Sequence, residues 1–281
     1  MISNLTPVIK WVGGKTQLLS KIIPLLPTEY NTYYEPFIGG GAVLFSIQPN
    51  KAVINDINPQ LINLYSQIKN KDSVYSLIEQ IKEYDSIPCN KDYYLSLREV
   101  FNKKIENREL DVECAALFIW INKHCFNGLY RVNSKGLFNV PYNNKINGCS
   151  IDEDNILGIH HYFNEENNQI ELTNSDFESV CNKAQNNDFI YFDSPYFPES
   201  ITADFTSYSK EGFGLKEHDR LNRLYKELSS RGVKMMLSNN DVEWVRDNYS
   251  EFRIIPIEAK RMVNRDGSKR NNGKEVLILN Y

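Results

Sequence analysis

The fold of this 281-residue chain is decided by the stretch Phe189-Ile190-Tyr191-Phe192-Asp193-Ser194-Pro195-Tyr196. Its first half is apolar and rich in aromatic residues, with polar residues at 186–188 before it and a proline after it. This pattern predicts a buried central strand. In open α/β sheets, ligands bind outside the carboxyl ends of the strands. The four residues that follow the strand therefore lie where chemistry is expected.

Those four residues suit a flat ring that carries an amino group. The Asp193 carboxylate is able to accept a hydrogen bond from an exocyclic amine, and the main-chain carbonyl of Ser194 is able to accept a second. Pro195 restricts the backbone of the residue before it, and Tyr196 offers a stacking face. The alternative is an ordinary turn, because aspartate, serine and proline are common turn formers. On the local pattern alone the turn is the better interpretation, so the rest of the chain must decide.

A strand, a glycine turn, a helix and a second strand occupy residues 33–56. The strand Tyr33-Tyr34-Glu35 leads into Gly39-Gly40-Gly41, and the second strand ends at Asp56. Glycines let a backbone approach a ligand closely, and an acid at this tip commonly accepts hydrogen bonds from ribose hydroxyls. The dinucleotide fingerprint requires a third glycine where this chain has Leu44, so NAD is disfavoured and S-adenosylmethionine fits better. A purely structural βαβ turn is the alternative.

Composition narrows the class of protein. The net charge is −4, so no global basic field indicates nucleic acid, although a local basic patch stays open. The five cysteines are scattered without a Cys-x-x-Cys pair, which argues against a disulfide framework or a metal site and favours a reducing cytoplasm. No apolar segment reaches membrane-spanning length. We therefore expect a soluble, cytoplasmic protein with one large domain or two smaller ones.

Residues 59 to about 123 have a helical pattern that interrupts the α/β alternation and predicts an inserted helical subdomain. Residues 126–142 after it are typical of a hairpin with its turn at Ser134-Lys135-Gly136. Its arginine and asparagines are the residue types that read guanine and adenine edges, and its aromatic residues Phe126, Tyr130 and Tyr142 could wedge between bases. A surface hairpin with merely solvated basic residues is the alternative.

Four further stretches carry functional hypotheses. Gly13-Gly14, flanked by two lysines, precedes a helical pattern and could hold an anion, or it is a plain glycine turn. The pair Asp176-Phe177 follows a short strand and could meet an adenine ring, or Asp176 caps a helix. Residues 199–214 lack periodicity and predict a mobile lid. The basic segment 260–270 is the strongest candidate for phosphate contacts, with a solvated loop as the alternative.

Six motifs follow one another along the chain. They are Lys-Trp-x-Gly-Gly-Lys from residue 10, Glu-Pro-Phe-x-Gly-Gly-Gly from 35, Asn-Asp-Ile-Asn from 55, Asn-Gly-Leu-x-Arg from 127, Phe-Asn-Val-Pro from 138 and Asp-x-Pro-Tyr from 193. With them, the whole chain resembles the Dam-type DNA adenine-N6 methyltransferases, including those of GATC-specific restriction–modification systems. Each motif is weak alone, but the complete set in this order is highly specific.

The resemblance implies an α/β fold with a Rossmann-like methyltransferase core formed by residues 1–58 and 150–281. A helical target-recognition domain and hairpin are expected at 59–149. The implied methyl donor is S-adenosylmethionine, and the implied acceptor is N6 of adenine in double-stranded DNA, flipped out of the duplex, with GATC as the predicted site. A monomer is expected, and a restriction endonuclease that recognises the same site is left open as a partner.

The resemblance also assigns residues to three groups. The catalytic group is Asp193, Ser194, Pro195 and Tyr196. The cofactor-contacting group is Trp11, Lys15, Glu35, Phe37, Gly39, Gly41, Asp56, Asp176, Phe177 and Asp193. The DNA-contacting group is Lys10, Phe126, Asn127, Leu129, Arg131 and Pro141, to which the basic segment adds Lys260, Arg261, Lys269 and Arg270.

One residue departs from the family pattern, which normally has proline where this chain has Ser194. The lost ring removes rigidity from a site that must hold an amine accurately, so we expect an impaired enzyme. A catalytically weak or inactive DNA-binding homologue is therefore one alternative. Serine before Pro-Tyr also resembles the cytosine-N4 DNA methyltransferases, which are the second. A small-molecule methyltransferase, the third, would have no use for the hairpin or the basic segment.

Overall fold

A computed structural model describes residues 4–145, 148–198, 213–260 and 272–281. Most of the predicted lid falls outside these ranges, as do Arg261, Lys269 and Arg270 and the side chain of Lys260. The predicted phosphate contacts of the basic segment therefore lie outside the described residues.

Seven strands form one sheet in the order β3-β2-β1-β4-β5-β7-β6. The first five are parallel, and β7 runs antiparallel between β5 and β6. The strands are β1 Tyr33–Glu35, β2 Lys51–Asn55, β3 Gln169–Thr173, β4 Phe189–Phe192, β5 Lys234–Asn240, β6 Arg253–Lys260 and β7 Asn272–Leu279. The prediction of a buried central strand is confirmed, because β4 lies between β1 and β5 and all four of its residues are buried.

The strand order reverses between β1 and β4, since β2 and β3 lie on one side of this pair and β5 on the other. A crevice outside the carboxyl ends of the strands opens at such a reversal. Glu35 ends β1, Asp56 follows β2 and Asp193 follows β4, so three carboxyl groups approach this edge of the sheet. The fold therefore brings together acids that lie far apart in sequence.

Ten α-helices are described. They are α1 Leu19–Ile22, α2 Ala42–Ile47, α3 Pro59–Lys69, α4 Val74–Asp85, α5 Lys91–Asn107, α6 Val112–His124, α7 Glu153–Asn164, α8 Phe177–Cys181, α9 Leu215–Ser230 and α10 Glu243–Asn248. Side-chain caps explain several starts: Asn58, Asn90 and Asp111 accept backbone N–H bonds at the first turns of α3, α5 and α6. Of these helices, none combines the length and apolar character needed to cross a bilayer.

Two hydrophobic cores cover the two faces of the sheet. Helices α8, α9 and α10 contribute to one core. Helices α2 to α7 contribute to the other, so the predicted inserted block shares buried side chains with the sheet. Helix α6 lies deepest, because ten of its thirteen residues are buried, Trp120 among them. The boundaries proposed for a separate target-recognition domain stay a prediction.

The predicted hairpin is an irregular antiparallel pair. Two isolated bridges join its arms, Cys125 with Tyr142 and Val132 with Phe138. The chain reverses at the predicted turn, where the Gly136 N–H donates to the carbonyl of Asn133 and Gly136 has φ +80°. A short helical turn, Phe126–Gly128, opens the first arm. Aromatic packing against α5 and α6 replaces a continuous ladder, as the Phe138 contact with Phe101 shows.

Candidate active site

An ion pair lies at the carboxyl end of β4. The Lys15 ammonium is 2.5 Å from Oδ1 of Asp193, and only 4% of the lysine side chain is exposed. The same ammonium donates to the carbonyl of Gly13 at 2.6 Å and lies 4.8 Å from the centroid of the Tyr196 ring. The anion that the glycine turn and its lysines could hold is thus supplied, in this structure, by the chain's own carboxylate.

The surroundings of Asp193 have opposing effects on its pKa. Burial raises the pKa of the Asp193 carboxyl, whereas the positive charge and hydrogen bond of Lys15 lower it. The carboxylate of Glu275, on β7, adds to the rise. Glu275 also accepts a hydrogen bond of 2.8 Å from the Tyr196 hydroxyl, which orients the ring that follows the strand. An acceptor and an aromatic face are thus held side by side.

Ser194 lies between these groups and is 2% exposed. Its hydroxyl has no hydrogen-bond partner among the described residues. A buried polar group that makes no hydrogen bond costs about 1–3 kcal/mol. Serine therefore destabilises this position through its unpaired hydroxyl, and the proline ring that the family resemblance leads us to expect here is absent.

Two substitutions separate these effects. Ser194→Ala removes the hydroxyl without adding a ring, so we expect the free energy of unfolding to rise by about 1 kcal/mol while the turnover number stays unchanged. Ser194→Pro stiffens the backbone that must hold the amine, so we expect the turnover number to rise about tenfold. Thermal melts and steady-state methyl transfer measure the two quantities. Equal turnover numbers for Ser194→Pro and the unsubstituted enzyme would show that the serine does not impair catalysis.

Glu35 lies beneath the ion pair and is 2% exposed. Its Oε2 accepts a hydrogen bond of 2.8 Å from the Tyr33 hydroxyl. Burial raises the pKa of Glu35 to about 8, and the nearby Asp193 carboxylate contributes to the rise. The Tyr33 hydroxyl, the Leu44 backbone N–H and the Lys15 charge oppose it. Glu35 is therefore mostly protonated at neutral pH, whereas Asp193 has a counter-charge.

This buried acid predicts a pH dependence of stability. The pKa of Glu35 is about 8 in the folded protein, whereas 4.5 is the ordinary value that we take for the unfolded chain. Between these two pH values the folded protein therefore binds one proton at Glu35 that the unfolded chain has lost. The stability contributed by the protonated form is complete below 4.5 and is lost as the pH rises through about 8. Between pH 5 and pH 8 we expect the free energy of unfolding to fall by about 3 kcal/mol more in the unsubstituted protein than in Glu35→Gln.

Denaturant titrations of both proteins at several pH values measure this difference. Carboxyls that do not interact with Glu35 titrate equally in both proteins, so the difference reports Glu35 together with its coupling to Asp193. Parallel pH profiles for the two proteins would contradict a raised pKa at this position.

The glycine turn lies against the acid that follows β2. Oδ2 of Asp56 accepts from the Gly39 N–H at 3.1 Å, and Oδ1 accepts from the Asn58 N–H at 2.9 Å. Gly39 has φ +47°, and a Cβ at this position would lie 2.6 Å from the Trp11 ring. Burial raises the pKa of Asp56 to about 6, against the hydrogen bonds from the backbone. The turn is therefore closely packed, and only glycine fits at position 39.

An aromatic cluster lies beyond this turn. The Phe37 and Phe177 ring centroids are 5.3 Å apart, and Phe213 contacts both rings. Asp176 accepts the Glu178 N–H as a helix cap and forms a 2.7 Å ion pair with Arg220. The structure thus contains the cap that was the alternative for Asp176, while a contact of Asp176 and Phe177 with a cofactor adenine stays a prediction.

Six of the residues predicted to contact DNA have side chains within the described ranges, five of them on the hairpin segment. Phe126, Asn127, Arg131 and Pro141 are exposed, and Leu129 is partly exposed. Lys10 is also exposed and packs its aliphatic stem against Gly128. The Arg131 Nε donates to the Asn139 side chain at 2.7 Å, which holds the guanidinium in place.

Of the three hairpin aromatics that could wedge between bases, the structure buries one, Tyr130. Tyr130 is 6% exposed and stacks on Trp11 with ring centroids 5.4 Å apart. Tyr142 is half-buried against Tyr94, and its hydroxyl donates to the carbonyl of Cys89. The Tyr130 ring is enclosed and the Tyr142 ring is partly covered because the hairpin packs on the helices beside it. Phe126, which is 50% exposed, is the most exposed of the three rings.

Several residues of the site were missed by sequence analysis. Glu275 is an acid at the opening of an apolar strand, which is a weak signal without knowledge of the sheet order. The side chain of Asn239 accepts the Phe197 N–H at 2.8 Å and so holds the backbone directly after Asp193-Ser194-Pro195-Tyr196. Asn239 is the second-last residue of β5, at the same edge of the sheet as Asp193, and the rule about carboxyl ends of strands could have found it. Phe213 and Arg220 had no such signal.

The seven-stranded sheet with its antiparallel last strand pair, the glycine turn and the acid after β2 define an S-adenosylmethionine-dependent methyltransferase fold. A family model described as D12 class N6 adenine-specific DNA methyltransferase matches residues 11–263, and the chain belongs to this family. It is thus an adenine-specific DNA methyltransferase, with S-adenosylmethionine as methyl donor and DNA as substrate. The resemblance inferred from the six motifs is confirmed.

Curated relatives agree with this family. M1.LlaDCHI, a Type II methyltransferase of Lactococcus lactis subsp. cremoris, is 44% identical over 278 residues, which cover 99% of this chain and 96% of the relative. M.MjaIII, a Type II methyltransferase of Methanocaldococcus jannaschii, is 40% identical over 292 residues, covering 98% and 99%. The DNA adenine methylase of Escherichia coli K12 is 29% identical over 271 residues, covering 96% and 94%.

The residues present fit the methyl donor. Asp56 supplies acceptor oxygens of the kind that bind ribose hydroxyls, beside a turn where the backbone approaches closely. The rings of Phe37 and Phe177 supply an apolar face of the kind that a purine packs against. Lys15 supplies a buried ammonium suited to a carboxylate. Their assignment as cofactor contacts stays a prediction.

Proposed function

We propose that this enzyme methylates N6 of the adenine in GATC sites of double-stranded DNA after flipping that adenine out of the duplex. The observation that carries the proposal is the arrangement after β4, where Asp193 and the Tyr196 ring lie side by side under one ammonium. An amine inside a duplex cannot reach a donor, and enzymes that act on a base extrude it into a pocket.

Asp193 is the hydrogen-bond acceptor for the adenine amine in this proposal. The amine is a poor nucleophile because its lone pair is delocalised into the ring. Acceptance of its two N–H bonds by Asp193 and the carbonyl of Ser194 favours a tetrahedral nitrogen with a localised lone pair. Tyr196 stacks on the base, and its hydroxyl bond to Glu275 keeps the ring in place.

When bound, S-adenosylmethionine would supply a methyl group on a positively charged sulfur, which keeps the electrons of the broken C–S bond. The adenine nitrogen that gains the methyl group then loses one proton, which the Asp193 carboxylate accepts and passes to water. The chain's own residues orient the acceptor and exclude water. The Lys15 ammonium lies where the amine is expected, between the Asp193 carboxylate and the Tyr196 ring. We propose that this ammonium turns away from Asp193 as the base enters, while its charge still opposes the rise in the pKa of Asp193 that burial causes.

The proposal of GATC rests on the hairpin, whose Leu129, Arg131 and Pro141 resemble those of GATC-reading family members. The hydrogen bond that fixes the Arg131 guanidinium to Asn139 supports the proposal of GATC, because a preorganised arginine discriminates bases more sharply than a mobile one. We also propose a cytoplasmic enzyme that acts as a monomer, as the family resemblance implies. Two relatives are named Type II methyltransferases, which supports a restriction endonuclease of the same specificity as a partner.

A labelled-methyl assay tests the proposed function. Tritiated S-adenosylmethionine is incubated with the enzyme and either a GATC duplex or a duplex in which the site is GTTC. We expect label only in the GATC duplex, and digestion of that duplex to nucleosides should give N6-methyladenine. Label in N4-methylcytosine would contradict the proposed chemistry, and equal label in both duplexes would contradict the proposed site.

Arg131→Ala tests the reading of the site. Loss of the guanidinium removes a base contact that is worth about 1–3 kcal/mol of discrimination. We expect kcat/KM on the GATC duplex to fall about 10- to 100-fold. The kcat/KM on duplexes with one altered base pair should fall less, so the ratio between the two should decrease. Lys135→Ala, at the exposed hairpin turn, is the matched control for charge and should leave discrimination unchanged. Full discrimination in Arg131→Ala would exclude the proposed role.

A further inference from the structure

A buried asparagine joins the two segments that are proposed to contact DNA. Asn122, on α6, is 3% exposed. Its Oδ1 accepts the Lys10 N–H at 2.9 Å, and its Nδ2 donates to the Lys10 carbonyl at 2.9 Å and to the Gly128 carbonyl at 3.1 Å. One side-chain amide therefore binds the backbone of residue 10 on both sides and the turn after Phe126 as well.

Side-chain packing around the Asn122 amide also connects residues 10 and 11 to the hairpin. Gly128 has φ +65°, and a Cβ there would lie 2.6 Å from Cβ of Lys10 and 2.7 Å from its Cδ. The Lys10 stem thus leaves the backbone in a direction set by the turn. The next residue, Trp11, stacks on Tyr130 of the hairpin and meets Phe118 of α6 edge-on. Residues 10 and 11 are therefore held by α6 and the hairpin.

The other end of the same loop reaches the reacting site. Five residues after Lys10, the Lys15 ammonium pairs with Asp193. The loop that leads to the catalytic carboxylate is thus anchored on the hairpin that is proposed to read the bases. A shift of the hairpin on its target would move Lys10 with it, because the amide of Asn122 ties both to α6.

We propose that Asn122 is a positioning residue for specificity: it holds Lys10 and the Phe126–Gly128 turn in one fixed arrangement, so that both read the same site. The inference rests on the proposed function, because it takes the DNA contacts of Lys10 and the turn from it. Asn122 itself touches no substrate. Its contribution is geometric, and small displacements of groups that position a reaction carry large rate costs.

Two substitutions at this position test the proposal. Asn122→Ala removes all three hydrogen bonds. Asn122→Asp keeps the size and the acceptor for the Lys10 N–H but sets a carboxylate oxygen against two carbonyls. In both variants we expect the ratio of kcat/KM between GATC and a singly altered site to fall about tenfold. The kcat/KM values are compared at saturating S-adenosylmethionine, and its dissociation constant is measured separately by calorimetry, because Trp11 and Lys15 of the same loop are predicted cofactor contacts.

Asn63→Ala is the matched control. Asn63 is also a buried asparagine of this region, 4% exposed, and its amide donates to the Asp111 carbonyl at 2.9 Å, where α6 is capped. It contacts neither Lys10 nor the turn. We expect its loss to lower the melting temperature as much as the loss of Asn122 while discrimination stays at the unsubstituted value.

A double-mutant comparison separates positioning from general destabilisation. Lys10→Ala should lower kcat/KM on GATC about tenfold in the unsubstituted enzyme but less than about twofold in Asn122→Ala, where Lys10 is already misplaced. Should the Asn122 variants fail to fold, Gly128→Ala displaces the Lys10 stem from the other side, and the same loss of discrimination is expected.

The proposal would be overturned if the Asn122 variants discriminated between sites as well as the unsubstituted enzyme, or if Lys10→Ala lowered kcat/KM equally in both backgrounds. Methylation of the GATC duplex by the unsubstituted enzyme would still support the proposed function in that case. If the unsubstituted enzyme methylates no duplex, the proposed function itself fails and the role of Asn122 fails with it.

Discussion

Asp193→Ala is expected to lower methyl transfer about 10³- to 10⁴-fold. The substitution removes the carboxylate that we propose accepts the amine and that follows the carboxyl end of the central strand. It also leaves the buried Lys15 ammonium without its counter-charge, so part of the loss will come from a displaced lysine. Duplex binding should be largely kept, because the predicted DNA contacts lie on the hairpin and its neighbours.

Asp193→Asn is the matched control for shape. Its amide oxygen still accepts a hydrogen bond from Lys15, so we expect the folded structure and its melting temperature to be nearly kept. Methyl transfer should nevertheless fall about 10²-fold or more, because a neutral acceptor stabilises the developing charge on nitrogen less well than a carboxylate. Single-turnover transfer and gel shifts on the same duplex measure the two quantities. Substantial transfer by Asp193→Ala would exclude the proposed role.

Lys15→Met is expected to lower kcat/KM about a hundredfold at neutral pH. Methionine keeps the length of the side chain but removes the positive charge that lowers the pKa of Asp193. Burial and the Glu275 carboxylate then raise that pKa without opposition, so Asp193 is protonated over more of the pH range. A protonated carboxyl is a poor acceptor for the amine. The acid limb of the activity profile should therefore move to higher pH, with activity partly regained in alkaline buffer.

Lys15→Arg is the control for charge. It restores a cation beside Asp193, so the acid limb should lie near that of the unsubstituted enzyme, although the larger guanidinium disturbs the Gly13 contact. The measurement is kcat/KM against pH for the three proteins, with binding of S-adenosylmethionine followed separately because Lys15 is a predicted cofactor contact. An unshifted acid limb in Lys15→Met would contradict the electrostatic role.

The elements around the site were predictable because their signals are local. The apolar run of β4 and the acid that follows it are consecutive residues, and the glycine turn and Asp56 form one short unit. Burial of a strand and the need for glycine at a positive φ are properties of a few neighbouring residues. The hairpin was also predicted, but its ladder is interrupted because its arms pack on α5 and α6 as well as on each other.

Side-chain partners were the part that sequence could not supply. The stacking face expected of Tyr196 stays a prediction, but the partner of its hydroxyl, Glu275, lies 79 residues further along the chain and no local pattern indicated it. Tyr130 was expected to be available to bases, but it stacks on Trp11. Such contacts depend on which strands are neighbours and how the hairpin lies on the helices, and no local pattern records either.

By itself, the sequence determined the family and the chemical types present: an acid after the central strand, a glycine turn, an acid after the second strand and a hairpin with basic and aromatic residues. Only the tertiary structure decided which of these groups face one another, such as Lys15 with Asp193 and Asn122 with Lys10. The physical reason is that residue type and periodicity act over a few bonds. Pairing of charges and amides acts over a few ångströms, and the sheet order and helix packing set those distances.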